Sequence, residues 1–343
     1  MLYKFFIRPV LFCFNAEFIH NFVIWFISRF TFIYPFIRLI YSPKIESPVI
    51  INGMKFRNRL GIAAGLDKNG TAIRFWDAAG FSHMEIGTVT PKPQPGNPKP
   101  RIFRLIKEKG IVNRMGFNNK GADVIYKNIL ASKRYIKKDF IVGVNIGKNK
   151  NTSNENASED YLICLEKLYD AADFFTINIS SPNTPGLREL QNKEELNKLL
   201  NNISSKNIAL ANAKNQNPKV IFLKIAPDLS ENEITEIYNS VINHKISGII
   251  ATNTTITRDS LLNNPDEEGG LSGKPLLELS NKALAHLNKL NLESEKKIVL
   301  VGVGGIFDKN DYTSKLNLGA ELVQIYTGFI YEGLNIIKNI LNK

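Results

Sequence analysis

From about residue 60 onward, short apolar runs rich in β-formers alternate with longer amphipathic stretches. The runs are LGIAAG (60–65), FSHMEIGTVT (81–90), IVGVNIG (141–147), FFTINIS (174–180), VIFLKIA (220–226), GIIATNTT (248–255), KIVLVGVGG (297–305) and ELVQIYTG (321–328). They are nearly continuous in apolar residues, as buried parallel strands are. Most are separated by helix-like segments. One of these opens DLSENEI, where Ser230 and Glu233 have the spacing of a capping box. Eight such units predict an α/β fold, a (β/α)8 barrel, with a doubly wound sheet as the competitor. Two parts lie outside the alternation. PVIINGMKFRNRL (48–60) carries Asn52-Gly53, a hairpin signal. PKPQPGNPKPRIFRLIKEKGIVNRMGF (91–117) is Pro-rich, then has two strand-like runs flanking KEKG. It predicts a β-rich insertion after strand two, on the face where barrel enzymes bind substrates.

The first 41 residues follow another pattern. They hold ten of the 21 phenylalanines, one of the two tryptophans, four Lys/Arg and one Glu. Glu17, His20, Arg29 and Arg38 interrupt the apolar runs before the roughly 20 residues of a membrane span. No small-residue cleavage site follows, as a signal peptide requires. Phe18, Phe22, Phe26 and Phe30 recur every four residues, which makes a helical stripe. With Pro9 and Pro35 as punctuation, the segment reads as two short helices and a third piece. Such a segment caps its own barrel or lies in a membrane interface with its basic residues toward lipid headgroups. The aromatic load favours the second. The chain therefore divides into an N-terminal amphipathic segment, 1–41, and a barrel domain, 42–343.

Composition narrows the chemistry. Of 343 residues, 43% are apolar and 22% charged, enough for a large core. The net charge of +12 favours acidic partners: nucleic acid, a phosphate-bearing cofactor or an anionic membrane. Cys13 and Cys164 fit neither metal nor disulfide spacing, which suggests a reducing compartment, and Cys164 lies in a helical pattern as a core residue. His20, His83, His244 and His286 are scattered, so no metal site is expected. Neither nucleotide fingerprint is present: the third glycine position after Gly302 and Gly304 is Phe307, and GKNKN lacks P-loop spacing.

The polar residues gather at the ends of the runs. Run one ends in Gly65, Asp67 and Lys68, run two in Thr88, run three in Asn145, and run four in Asn178, Ser181 and Asn183. Run five carries Lys224, run six ends Thr252-Asn253-Thr254, run seven Gly304-Gly305, and run eight Tyr326-Thr327-Gly328. A merely structural barrel needs no such ring. Converging asparagines, each donor and acceptor, match the edge of a planar heterocycle such as a pyrimidine. Lys68 suits a carboxylate. Lys224, inside an apolar strand, requires a negative partner, and a reduced flavin is one. The last two strand ends suit a single phosphate held by backbone N–H groups, which favours FMN over NAD or ATP.

AAGLDKNG, EIGTVTPKPQPGNPKPRIFRL, NRMGFNN, GVNIGKNK, NISSPNTPGLREL, LKIAPDLS, ATNTT, GGLSGKPL, VGVGGI and LVQIYTGF together resemble class 2 dihydroorotate dehydrogenase, the quinone-dependent, membrane-associated type. The likeness runs over nearly the whole chain. It implies an FMN enzyme that oxidises dihydroorotate to orotate in pyrimidine (UMP) synthesis and passes the electrons to a membrane quinone. Ala63, Ala64, Gly65, Leu66, Asp67 and Thr88 stand where that family holds FMN, as do Asn145, Asn178 and Lys224. So do Thr252, Gly273, Gly305, Tyr326 and Thr327. Lys68, Asn113, Arg114, Met115, Gly116 and Phe117 stand where it holds substrate, together with Asn178, Asn183, Asn253 and Thr254. Ser181 stands at the catalytic base, and His20 and Arg104 near the quinone tunnel. One departure is Gly333-Leu334, where the family commonly has Gly-Pro, so the start of the last helix is open. The resemblance further implies a peripheral protein on an anionic membrane surface, at the cytoplasmic face of a bacterial inner membrane. Neither a nucleic-acid partner nor an obligate protein partner is expected. Rival readings are a class 1 enzyme, which Ser181 and residues 1–41 oppose; a flavin barrel that reduces uridine in tRNA; and a membrane-bound barrel that binds a pyrimidine without turning it over.

Overall fold

The computed structural model describes residues 2–43, 47–261 and 265–342. β1 (Val49–Ile51) and β2 (Met54–Phe56) pair antiparallel. Their turn is Asn52-Gly53, with φ of 47° and 77°, the two left-handed positions of a type I′ hairpin. β3 (Leu60–Ile62) and β4 (His83–Val89) begin the barrel. β5 (Ile102–Leu105) and β6 (Gly110–Asn113) form the insertion. β7 (Ile141–Ile146), β8 (Phe174–Asn178), β9 (Val220–Ile225) and β10 (Gly248–Ala251) follow, then β11 (Gly270–Gly273), β12 (Val299–Val303) and β13 (Leu322–Ile325). β3, β4, β7 to β10, β12 and β13 close into a ring of parallel neighbours, one for each of the eight apolar runs. Closure excludes the doubly wound sheet.

The barrel interior changes character along its axis. Its lower end is filled by Ile141, Phe174, Phe222, Val299 and Leu322, with Phe174 and Phe222 meeting edge to face at 5.3 Å. His83 lies in the gap left by Gly61, where a Cβ would come within 2.3 Å of its Nε2. Higher up the lining turns polar, with Glu85, Asn145, Thr176 and Gln324 all buried. Above these are the strand ends. The helices bury their apolar faces outside the ring, and Cys164 is among the fully buried residues there. The capping box at Ser230 and Glu233 forms as its spacing implies.

β11 was not legible as a strand. GLSG is half glycine and lacks β-formers, yet it adds to β6 as a third insertion strand, pairing Gly270 with Asn113 and Gly273 with Gly110. A Cβ at Gly270 would lie 2.0 Å from Thr254 Oγ1, so the small residue is what lets this strand approach.

Proline 9 does not divide the N-terminal segment as expected. Residues Tyr3–Ile7 form a π-helical turn that runs straight into α1 (Arg8–Phe12), with Pro9 in the first turn. A wider turn next to a residue lacking N–H keeps the chain helical. α2 (Ala16–Arg29) begins at an Asn15 cap whose side chain accepts from the N–H of Glu17 and Phe18. A 3₁₀ turn, Thr31–Ile33, leads into α3 (Tyr34–Tyr41). Among the described residues no single helix is long and apolar enough to cross a membrane, and α2 meets the segment Thr31–Tyr41 at a 73° bend. The segment is tied to the barrel at both ends. Tyr3 Oη donates to Ile330 O at 2.6 Å, and Arg38 meets Asp77 at 2.7 Å. Near the other terminus, Gly333 at φ 65° ends the helix Thr327–Glu332, and the last helix starts at Asn335.

Candidate active site

One cavity of about 620 Å³ joins the polar strand ends to the underside of the N-terminal helices. At its polar end Asn178, the last residue of β8, is the hub. Its amide donates to Thr88 Oγ1 at 2.8 Å and Asn145 Oδ1 at 3.2 Å. Thr88 closes the triangle on Asn145 Oδ1 at 2.6 Å, and Asn145 donates to the buried Glu85 at 3.1 Å. Asn178 Oδ1 accepts from Ser180 N and Oγ and from Asn253. Asn178 therefore belongs where β-propensity disfavours it: its strand position aims it into an amide and hydroxyl network from four strands. Ser181 is 6% exposed. Its Oγ accepts Asn183 N–H at 3.3 Å, and Asn183 Nδ2 reaches Asn113 Oδ1 on β6 at 3.3 Å.

Two lysines bring positive charge. Lys68 lines the cavity and donates to Gly65 O at 2.9 Å. Burial pushes its pKa down to about 8, Arg101 pushes the same way, and Glu17 and Asp67 partly offset this. Lys224 is 5% exposed and makes neither hydrogen bond nor ion pair among the described residues. A buried ammonium without a counter-charge is costly, so the site calls for an anionic occupant.

The opposite wall is glycine-lined backbone. At Gly305 a Cβ would lie 2.4 Å from that of Leu277, and the N–H groups of Gly305 and Ile306 have no protein acceptor among the described residues. Thr327 Oγ1 and Ser272 Oγ are 2.9 Å apart beside them. Tyr326, its phenol raised to about 12 by burial, lies against Gly65.

The apolar arm of the cavity runs between Leu11, Ile19, Val23 and Ile27 and carries two polar groups, His20 and Arg104. Burial, with Lys68 nearby, holds His20 down to about 3, so its imidazole is neutral at ordinary pH. The Arg104 guanidinium stacks on Phe12 at 4.6 Å and bonds the Phe14 carbonyl.

Of the residues singled out in the sequence, Ala63, Ala64, Gly65, Leu66, Thr88, Asn178, Lys224, Thr252, Gly273, Gly305, Tyr326 and Thr327 line this cavity. So do Ser181, Lys68, Asn113, Met115, Gly116, Phe117, Asn183, Asn253 and Thr254, with His20 and Arg104 in the apolar arm. Three do not. Asn145 lies one layer below, holding Thr88 and Asn178. Asp67 turns its carboxylate back onto Thr71 N, Ala72 N and Trp76 Nε1. Arg114 turns out to Glu267 at 3.0 Å and stacks on Phe103. Sequence reasoning missed Ser272 and Gln324, which also line the wall. It also missed Arg188, which binds Ser180 O, Thr254 O and Asp228 together. Arg188 and Asp228 were visible within NISSPNTPGLREL and LKIAPDLS, but nothing in either stretch says that they meet.

Known proteins are similar to this chain over most of its length. A family model described as dihydroorotate dehydrogenase matches residues 48–343. The dihydroorotate dehydrogenase (quinone) of Shewanella baltica is 51% identical over 298 residues, 86% of each chain. That of Shewanella putrefaciens is 51% identical over 297 residues, 86% of this chain and 85% of its own. Among solved structures, DHODH from Eimeria tenella in complex with ferulenol superposes with a TM-score of 0.87 at 34% identity. That match covers 96% of this chain and 90% of the other.

Proposed function

The chain belongs to the dihydroorotate dehydrogenase family, and from that premise we infer its reaction: it oxidises dihydroorotate to orotate, in pyrimidine biosynthesis, with a quinone as electron acceptor. The observation that carries this reading is the single cavity with two kinds of wall. Its polar end suits a small anionic heterocycle, and its apolar arm suits a prenylated ring.

The flavin of this site is FMN. The residues present fit it: a glycine-lined backbone with free N–H groups for one phosphate at Gly305 and Ile306, and an unpartnered buried Lys224 for the negative side of the ring. Ala63 to Gly65, Thr88, Asn178, Thr252, Gly273, Tyr326 and Thr327 complete its wall, with Asn145 supporting from below. Asp67 acts only by shaping the turn. Bound there, FMN supplies the acceptor for the hydride that leaves C6 of dihydroorotate.

The chain's own groups do the rest. Lys68 pairs with the substrate carboxylate, and Asn113, Asn183 and Asn253 hold the ring amides by matched donors and acceptors. Met115, Gly116 and Phe117 pack against it. Ser181 takes the C5 proton, which the neighbouring carbonyl acidifies. A serine is a weak base, so its loop must hold the hydroxyl on that proton while the hydroxyl passes its own proton onward to a polar relay, and positioning replaces intrinsic basicity. The bond from Asn183 N–H and the prolines on either side, Pro182 and Pro185, stiffen that loop.

Residues 1–41 form the membrane-facing part and residues 42–343 the catalytic part. Phe5, Phe6, Phe18, Trp25, Phe32 and Phe36 are more than half exposed, and Lys4, Arg29 and Arg38 lie among them. That is the composition of an interfacial segment on an anionic surface. The protein lies peripherally at the cytoplasmic face of the membrane, and quinone enters the apolar arm past His20 and Arg104. The test is anaerobic reduction of the purified yellow enzyme by dihydroorotate, followed by reoxidation with a quinone analogue, fumarate or NAD. Bleaching by dihydroorotate and recovery with quinone alone are expected. Absence of bleaching, or recovery with NAD, overturns the reading.

A further inference from the structure

An unbroken series of polar contacts joins α2 to the loop that carries Ser181. Glu17, in the first turn of α2, is 6% exposed. Its carboxylate receives the Arg101 guanidinium twice, from Nε at 3.1 Å and Nη2 at 2.7 Å, and Lys99 Nζ stands 3.6 Å away. The remaining Arg101 nitrogen, Nη1, donates to the carbonyls of Pro95 and Asn97, both at 2.7 Å. The Asn97 side chain then donates to Arg114 O at 3.0 Å and Asn183 O at 3.1 Å. Asn183 is the residue whose N–H reaches Ser181 Oγ. A carboxylate on the quinone side thus fixes a Pro-rich loop, and that loop fixes the substrate side.

A buried ion pair is a poor device for stability alone, because desolvation consumes most of its attraction and a well-packed apolar pair would serve as well. Its distinctive property is geometric: a bidentate guanidinium–carboxylate fork holds one relative orientation. Glu17 also acts on the substrate side by charge. It raises the proton affinity of Lys68, which Arg101 lowers.

We propose that Glu17, Arg101 and Asn97 are positioning residues that couple the seating of the N-terminal helices to the order of the Ser181 loop, so that the dihydroorotate site is complete only with the quinone arm closed over it. The proposal rests on Ser181 and Lys68 acting on dihydroorotate as described above.

The experiment uses the full-length flavoenzyme and three substitutions. Glu17→Gln removes the charge at constant size. Arg101→Lys keeps the charge but cannot make the fork. Asn97→Ala breaks the last link and leaves the ion pair intact, so it also serves where the first two fold poorly. Each is expected to raise the KM for dihydroorotate and the Kd of orotate about tenfold, the scale of one charge-assisted hydrogen bond, with a smaller effect on kcat. Each is also expected to speed deuterium exchange across residues 181–187, more than 75 positions away along the chain. Glu17→Asp should recover part of both. In Glu17→Gln the alkaline fall in substrate affinity should move to lower pH. The groups that face Lys68 are Glu17 and His20 from α2, Arg101 from the loop and Asp67 beside it, and only the first is altered. Unchanged orotate affinity and unchanged exchange at 181–187 overturn the proposal, as does faster exchange confined to α2. Failure of dihydroorotate to reduce the wild-type flavin would instead overturn the functional reading, and the exchange experiment, which needs no substrate, keeps the two apart.

Discussion

At the scale of single residues, the site depends on placing ordinary groups rather than on unusual ones. Ser181→Ala should slow flavin reduction by dihydroorotate by about 10²–10⁴-fold, the usual share of a positioned base, while the flavin stays bound. Stopped-flow reduction near the wild-type rate across a range of pH would remove Ser181 from that role. Ser181→Cys should keep partial activity, since a thiolate also accepts a proton. Lys68 adds a pH dependence of definite sign. Its pKa is lowered to about 8, chiefly by burial, so its charge is full below that pH and lost above it. Dihydroorotate affinity should therefore fall as pH rises past about 8. Lys68→Arg, whose guanidinium stays protonated, should bind more weakly but lose that fall, and an unaltered alkaline limb in this variant would discard the assignment. Most of these positions were legible because residue type and strand-end position agree: an asparagine or lysine at the end of an apolar run is a local anomaly. Asp67 and Arg114 show where that logic stops. Both sit inside telling motifs, yet one serves its own turn and the other a surface ion pair. Side-chain direction decides this, and sequence spacing does not encode it.

At the scale of elements, the eight barrel strands and the hairpin could be read because their apolar runs and turn residues act locally. β11 and the helix through Pro9 could not, since each depends on a neighbour: β6 for one and the adjoining π turn for the other. The same dependence is testable lower in the barrel. β3 and β4 approach closely because Gly61 leaves room for the His83 ring, and burial holds that imidazole neutral, down to about 3. Gly61→Ala would drive a methyl into the ring and should destabilise the protein by about 1–3 kcal/mol, as overpacked cores do. In a His83→Ala background the cost should shrink, because the obstacle is gone. Chemical denaturation of the two singles and the double closes the cycle. An equal cost in both backgrounds would show that the clash is relieved elsewhere.

At the scale of the whole molecule, the proposed function assigns the two halves of the reaction to two parts of the chain. Every strand of the barrel ring lies between residues 60 and 325, and the polar strand ends between 65 and 328, whereas the exposed phenylalanines and Trp25 lie before residue 42. With residues 1–41 removed, Glu332 loses Lys4, but Asp77, which loses Arg38, keeps Arg57 at 2.6 Å, so the truncated barrel retains a partner for its more deeply buried carboxylate. It should fold, bind FMN and be reduced at saturating dihydroorotate. Its KM should be higher, because Arg101 no longer has Glu17. Oxidation by a long-tailed quinone should fail, since Leu11, Ile19, Val23 and Ile27, which wall the apolar arm, are gone, while a small soluble acceptor should still work. Vesicle binding should fall as well, because the lost aromatics supply the buried apolar area and the lost lysine and arginines the attraction to anionic lipid. Co-sedimentation with anionic vesicles and the two acceptor assays, on protein whose circular dichroism shows it folded, decide the matter. If the truncated protein still sediments and still reduces a long-tailed quinone normally, the segment is a structural cap, and the route from membrane to flavin must be sought in the barrel itself.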